Sequence, residues 1–383
     1  MNNFSFYLGS KIEFGSNSIE VLPKYLQEYK SKKVLVITDA VLIELHVIDP
    51  LINILQKENI DYLVYDKIKP NPDLQSVEEG YKFANGLDIG LIIAIGGGST
   101  LDTSKAIAML LKNNDKCYNY LDGRGPDKKE ITDAVDIIAI PTTAGTGSEV
   151  SVYSVITDDN NIKDSLTSNF ILPKVAIIDP VLTMKLPKQF SVFTGLDVFA
   201  HALEAYTSKI SNELSDLMSL EAIKIVFDYL PIVANENTLE SREKLAYASM
   251  IAGSAMSNCG ATLPHALGCA LGGNLKLPHG LTVGLLQIPT IKYNKETNAK
   301  EYKKILDYLK PDNSISESNA AEEFIIMIED LFQKLDFSSN LNMTIDEKLL
   351  DKMVEDASIH GCLNLNSKMM NKEDIRSMFE SVF

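Results

Sequence analysis

Asp197 and His201 stand four residues apart in Gly195-Leu196-Asp197-Val198-Phe199-Ala200-His201-Ala202-Leu203-Glu204-Ala205-Tyr206. On a helix such residues lie one above the other on one face, so a carboxylate and an imidazole are presented to the same point. That is the beginning of a metal site. Two further segments supply what it lacks, Leu263-Pro264-His265-Ala266-Leu267-Gly268 and Leu277-Pro278-His279-Gly280. An Asp/His pair at this spacing is, by itself, more often a surface hydrogen bond. Here three of the chain's five histidines fall in the pattern, and the whole constellation reverses the odds.

A second chemistry, phosphate binding, is suggested earlier in the chain. The apolar run Leu91–Ile95 leads directly into Gly96-Gly97-Gly98-Ser99-Thr100-Leu101-Asp102 and then into a helical stretch from Ser104 to Leu111. A glycine-rich turn between strand and helix lets the backbone approach a phosphate, and the helix N-terminus favours its charge. The spacing is not GxGxxG, and three glycines also serve a tight turn with no ligand. A second loop, Pro141-Thr142-Thr143-Ala144-Gly145-Thr146-Gly147-Ser148-Glu149, follows the strand Ile137–Ile140 with four hydroxyls and two glycines. Two such loops after consecutive buried strands converge on the edge where open α/β sheets bind ligands, and together they favour a dinucleotide site. Asp39, at the end of the run Val34–Thr38, is placed to accept hydrogen bonds from a ribose and to repel a 2′-phosphate. It favours NAD over NADP; the plainer reading is a loop acid or a helix cap.

These residues need elements to carry them. Residues 1–185 read as an α/β dinucleotide-binding domain with a parallel sheet: short apolar strands at Val34–Thr38, Tyr62–Tyr65, Leu91–Ile95, Ile137–Ile140 and Val175–Ile178 alternate with helical stretches such as Leu74–Asn85. Residues 186–383 read as an all-helical domain, with apolar residues at helical spacing over Phe190–Ser208, Leu214–Leu230, Ser241–Asn258 and Ala321–Leu335. Pro311–Ser318 is expected to be a loop. The metal-site candidates fall in the second half and both glycine loops in the first, so a site between the domains would bring cofactor and metal face to face.

The totals narrow the partners. A net charge of -16 over 383 residues argues against nucleic acid, which needs a basic face, and equally against anionic membranes. The four cysteines (Cys117, Cys259, Cys269 and Cys362) form no CxxC pair, which suits reduced thiols and a cytoplasmic location. The stretch Met1-Asn2-Asn3-Phe4-Ser5-Phe6 lacks the pattern of a signal peptide. No apolar run approaches the roughly 18 residues of a membrane span.

On these motifs the sequence resembles the iron-dependent (group III) alcohol dehydrogenases, the family that includes lactaldehyde reductase and 1,3-propanediol dehydrogenase. The segment Cys362-Leu363-Asn364-Leu365-Asn366 before Glu373-Asp374-Ile375 looks like a worn form of that family's C-terminal motif. The resemblance implies a metal-dependent oxidoreductase passing a hydride between a small primary alcohol or diol and NAD, assembled as a homodimer. It implies Asp197, His201, His265 and His279 as metal ligands. Cofactor contacts would come from Asp39, Asn71, Gly97, Gly98, Ser99, Asp102, Thr142, Thr143, Thr146, Lys163 and Leu182, with no catalytic residue beyond the metal site. Four protein ligands without thiolate would close tetrahedral zinc, whereas iron(II) accepts more. Iron is therefore preferred, with zinc in expanded coordination as the alternative.

One departure matters: Cys269 stands where many members carry a further histidine, so substrate preference does not carry over. A small packing residue is the plainer role for it. His46 and His360 match no site and are expected to be structural or exposed. The rival readings are a zinc-dependent glycerol dehydrogenase, a lyase resembling 3-dehydroquinate synthase, and a binding protein without catalysis. The lyase would need a basic cluster beside the ligands, and none is visible.

Overall fold

Apolar residues that do not alternate are expected in a strand covered on both faces, and the run Leu91–Ile95 sits at the centre of such a sheet. The computed structural model describes residues 3–29 and 32–383; Met1 and Asn2, the start of the N-terminal stretch read above, lie outside them. The chain divides into an α/β unit, Leu8–Leu186, and a helical unit of Pro187–Phe383 joined by the residues up to Tyr7. Tyr7 belongs with the helices because its N–H donates to Asn258 Oδ1 (2.6 Å) and its carbonyl accepts from Asn258 Nδ2 (3.0 Å). The α/β unit thus begins at Leu8, not at residue 1.

The strands of that unit are β1 (Lys11–Phe14), β2 (Lys33–Ile37), β3 (Tyr62–Tyr65), β4 (Ile89–Gly96), β5 (Asp136–Pro141), β6 (Tyr153–Thr157), β7 (Lys163–Thr167) and β8 (Val175–Ile178). Six form a parallel sheet in the order β1-β8-β5-β4-β2-β3, while β6 and β7 pair as an antiparallel hairpin. The helices are α1 (Pro23–Leu26), α2 (Ala40–Glu44), α3 (Asp49–Lys57), α4 (Leu74–Ala84) and α5 (Gly98–Asn113). Alternate residues of the central strands enter two separate cores. Leu35, Ile37, Ile92, Ala94 and Ala139 pack with Val77, Ile107 and Leu110, and Val34, Val36, Ile93, Ile95 and Ile140 pack with Leu22, Leu51 and Leu55. Each fully buried Ile or Leu contributes about 1.5–3 kcal/mol, so the sheet holds its own register.

The order reverses at β2: β3 lies on one side of it and β4 on the other. The crevice where ligands of open α/β sheets bind therefore opens at the ends of β2 and β4, beside Asp39 and the glycine turn. Gly96 pairs with Pro141 in register, so the second loop starts next to the first.

Three details differ from the reading of the sequence, the first being β1, an edge strand whose mostly exposed residues form no apolar run. Helix α5 begins at Gly98, not Ser104, because the glycine turn is itself the first helical turn. The β6–β7 hairpin carried no clear alternation; its turn is closed by Asp158, whose Oδ1 accepts from the N–H groups of Asn160 and Ile162 (both 2.8 Å).

The helical unit comprises α6 (Lys188–Thr207), α7 (Glu213–Asn235), α8 (Leu239–Cys259), α9 (Leu263–Leu275), α10 (His279–Leu285), α11 (Gln287–Asn294), α12 (Ala299–Leu309), α13 (Ala320–Lys334), α14 (Glu347–Ser358) and α15 (Lys372–Glu380), with no strand among its described residues. Every residue of Gly195–Tyr206 in α6 is buried, as a helix surrounded by others must be. It packs against α7, α8, α9 and α10. No helix among the described residues is long and apolar enough to cross a membrane.

Candidate metal centre

Helix α6 carries Asp197 and His201 on one face. His265 lies in the first turn of α9, behind Pro264, and His279 is the first residue of α10, behind Pro278. A proline at a helix start fixes φ for the turn that follows, so both Pro-His segments aim an imidazole from a helix N-terminus. Gly280 then lets α10 approach α6 closely: a Cβ there would collide with the backbone carbonyl of Phe193.

The geometry converges on one atom. Asp197 Oδ1 lies 3.7 Å from His201 Nε2, 3.6 Å from His265 Nε2 and 3.6 Å from His279 Nε2. Asp197, His265 and His279 each offer one ligand atom within 4.8 Å of the others. The ring of His201 stacks on that of His265 at 4.7 Å and 19°. Asp197 is 2% exposed, His201 4% and His265 8%. Burial alone would raise the Asp197 carboxyl, but the imidazoles of His201, His279 and His265 outweigh it and hold it well below the usual range. Burial works against charge on His265 too, yet Glu204 and Asp197 raise it well above an ordinary imidazole.

Asp197 Oδ1 and His265 Nε2 are buried with no hydrogen-bond partner. Buried polar atoms in native proteins are nearly always satisfied, and a cation between them would satisfy both. The donor set, imidazoles with a carboxylate, fits a divalent transition metal. Sequence reasoning missed Glu204, 1% exposed on α6. Its Oε1 lies 2.7 Å from His265 Nδ1, and its Oε2 accepts from Thr262 N–H at 2.5 Å. The available signal was a lone carboxylate in an otherwise apolar stretch three residues beyond His201.

In the α/β unit, the two glycine loops meet. Gly97 caps α5 in extended conformation with Gly98 and Ser99 in its first turn. A Cβ on Gly98 would lie 2.5 Å from Thr146 Cγ2, and one on Gly97 3.3 Å from Thr143 Cγ2. Thr142 N–H donates to Gly96 O (3.0 Å). Asp102 is committed internally: Ser148 Oγ donates to Oδ1 (2.6 Å) and Val155 N–H to Oδ2 (3.1 Å), while burial raises its carboxyl. Lys163 Nζ donates to Asn71 Oδ1 (2.8 Å), joining two of the cofactor candidates.

Asp39 is a helix cap, accepting Leu42 N–H on Oδ1 (3.0 Å) at the start of α2. Leu182 packs into the core beside Ile138 and Ile177. Also missed was Lys105, fully buried beneath the loops, whose Nζ donates to the carbonyls of Ser151 (2.9 Å) and Tyr153 (2.7 Å). Burial brings it down to about 8 and pushes its neighbour Glu149 up to about 7.

Cys269 is buried, and His360 lies against its thiol and that of Cys362. His360 also caps the short turn Gly361–Leu365, its Nδ1 accepting Cys362 N–H (3.3 Å). His46 is exposed beside Asp49. All four cysteines are free thiols.

A parallel α/β unit with paired glycine loops, and a helical unit with a buried carboxylate–imidazole cluster, define a metal-using, nucleotide-dependent class of oxidoreductase. Residues 9–180 match the family iron-containing alcohol dehydrogenase, and residues 191–383 match the C-terminal domain of the Fe-containing alcohol dehydrogenase family. The chain belongs to this family of NAD(P)-dependent alcohol dehydrogenases. It is 29% identical to the NAD-dependent methanol dehydrogenase of Bacillus methanolicus, covering 98% of this chain and 99% of that protein. It is 28% identical to the NADPH-dependent butanol dehydrogenase of Clostridium saccharobutylicum, covering 99% and 97%. The crystal structure of a 1,3-propanediol oxidoreductase superposes with a TM-score of 0.93 at 29% identity over 100% of both chains.

Proposed function

We propose that this chain is a divalent-metal-dependent alcohol dehydrogenase and aldehyde reductase acting on small primary alcohols or diols with NAD. The observation that carries it is the pair of buried atoms without a hydrogen bond, Asp197 Oδ1 and His265 Nε2, with the histidines gathered around the first. Asp197, His201, His265 and His279 would hold the metal. When bound, the metal supplies Lewis acidity toward the alcohol oxygen and the nicotinamide takes or gives the hydride.

The chain's own residues do the holding. Asp197 brings a buried negative charge to the site, and the helix starts at Pro264 and Pro278 orient two of the imidazoles. The first turn of α5 offers backbone N–H groups to a phosphate, with Gly97, Gly98, Ser99, Thr142, Thr143 and Thr146 forming the cradle and Asn71, Asp102, Lys163 and Leu182 around it. The carboxylate of Asp39 at the end of β2 would repel a 2′-phosphate, which supports NAD over NADP. Four protein ligands would close a tetrahedral zinc site but leave open positions on iron(II), which supports iron(II) over zinc.

The relatives named above act on methanol, butanol and 1,3-propanediol, which supports a short alcohol or diol. Four free thiols suit a reducing cytoplasm. β1 is an edge strand with Ile12 and Phe14 exposed, which supports a homodimer, since apolar edges are commonly covered.

The test is metal content and turnover of anaerobically purified protein on a panel of alcohols and diols with NAD and NADP, beside Asp197→Ala and His265→Ala. One iron per chain and NAD-linked turnover, both lost in the variants, is the expected result. Full activity without metal, or in either variant, would sink the proposal.

A further inference from the structure

We infer that Glu204 is a positioning residue of the metal centre: it holds His265 with Nε2 presented to the cation and supplies the second of two buried negative charges that balance a divalent ion. The inference rests on the reading of Asp197 and the three histidines as the metal site.

The geometry is specific. Glu204 lies on α6, the helix that carries Asp197 and His201, one turn beyond His201. Its two oxygens have separate tasks. Oε1 is 2.7 Å from His265 Nδ1, and a carboxylate can only accept, so Nδ1 carries a proton; in the neutral ring that a metal requires, the lone pair therefore sits on Nε2. That is the nitrogen 3.6 Å from Asp197 Oδ1 and without a hydrogen-bond partner. Oε2 accepts the N–H of Thr262, with the Thr262 hydroxyl at 3.4 Å. Thr262 immediately precedes α9, so the same carboxylate fixes both the ring of His265 and the start of the helix that bears it.

A carboxylate behind a ligating imidazole makes the ring a better donor and locks its tautomer. Glu204 is 1% exposed and has no Lys or Arg within hydrogen-bond reach among the described residues. A buried charge is costly unless it is compensated. Asp197 and Glu204 together bring two negative charges to a site whose other donors are neutral imidazoles, and a divalent cation cancels them. A trivalent ion would leave one positive charge uncompensated, so the arrangement favours the divalent state.

The test uses apoprotein reloaded with cobalt(II), whose visible spectrum reports ligand geometry, and a chelator competition for metal affinity. Glu204→Gln keeps the shape and removes the charge; Glu204→Asp keeps the charge and draws it back. Glu204→Gln should weaken metal binding by about 10- to 100-fold and shift the cobalt bands, with NADH binding unchanged. Glu204→Asp should recover part of the affinity. Parental affinity and spectrum in Glu204→Gln, or no recovery in Glu204→Asp, would overturn the inference. Failure of both variants to fold without metal would make Glu204 a purely structural group and overturn it equally. Asp197→Ala, measured alongside, separates this from the underlying reading: if it too binds metal like the parent, the site itself has been misassigned.

Discussion

The two candidate sites are built on opposite principles. In the helical unit the polar atoms at the centre are left without hydrogen bonds: Asp197 Oδ1 and His265 Nε2 are buried 3.6 Å apart and neither is hydrogen-bonded. In the α/β unit the charged side chains around the glycine loops are already engaged. Asp102 takes hydrogen bonds from Ser148 and Val155, Lys163 donates to Asn71, and Asp39 caps α2. The first site needs its ligand to complete its bonding. The second is set in advance, and what it offers a nucleotide is chiefly backbone at the start of α5. A buried unmet demand costs stability until it is filled, whereas a preset cradle costs little when empty.

The sharpest break of this contrast would come from ligand-linked stability. Iron(II) or cobalt(II) at a hundredfold excess over its Kd should stabilise the native protein by about 2.7 kcal/mol, read as a rise in melting temperature under anaerobic conditions. Asp197→Ala should abolish that rise while leaving NADH binding intact. A metal-induced rise that survives in Asp197→Ala would show that the unsatisfied atoms are not where the cation goes.

Next in size is Gly280→Ala. Its Cβ meets backbone, which cannot swing aside, so α10 must shift and carry His279 with it. Metal affinity should drop by about tenfold or more, the equivalent of 1–3 kcal/mol of overpacking, with NADH affinity unaffected. Equal damage to both affinities would argue for general misfolding instead.

Gly98→Ala tests the other region. The new methyl presses on Thr146 Cγ2, a side chain that can give, so a several-fold rise in the Kd for NADH is expected with metal content unchanged. Fluorescence titration of NADH measures it, and an unaltered Kd would remove the first turn of α5 from the cradle.

The smallest effect is a pH dependence beneath the loops. Glu149 is raised by burial to about 7 in the folded protein, so the native state binds its proton more tightly than the unfolded chain. Its contribution to stability is present below about 4.5 and is lost as pH rises through about 7. Lys105 is lowered to about 8, so stability is regained as pH rises from there toward its usual value. Glu149→Gln should flatten the decline between pH 4.5 and 7 in melting temperature; a curve parallel to the parent's would assign that slope to other groups.

Much of this was legible in the sequence because it is periodic or punctuated. The central strands of the sheet announce themselves by being apolar on both faces, and His265 and His279 by the prolines before them; β1, a mostly exposed edge strand, gave no such run. Asp197 and His201 are readable because helix geometry makes i and i+4 neighbours. Glu204 was not, because its partners Thr262 and His265 are on another helix and no spacing rule links them. The true start of α5 was hidden because Gly98, Ser99 and Thr100 are poor helix formers. Asp39 shows the opposite limit: an acid after a strand reads as a ribose contact, with a helix cap as the plainer alternative, and its Oδ1 does serve as a cap.

The convergence of α6, α9 and α10 on one carboxylate oxygen also bears on how long the folded protein lasts. Asp197, His265 and His279 come together only after those helices have docked, so a partly unfolded chain has no comparable grip on a cation. Interactions that are missing from the transition state slow unfolding and leave the folding rate almost untouched. A filled site is therefore a latch on the native state: its occupancy should be read in the half-life of the enzyme at elevated temperature, and a chelator should shorten that half-life before it changes how quickly the chain refolds.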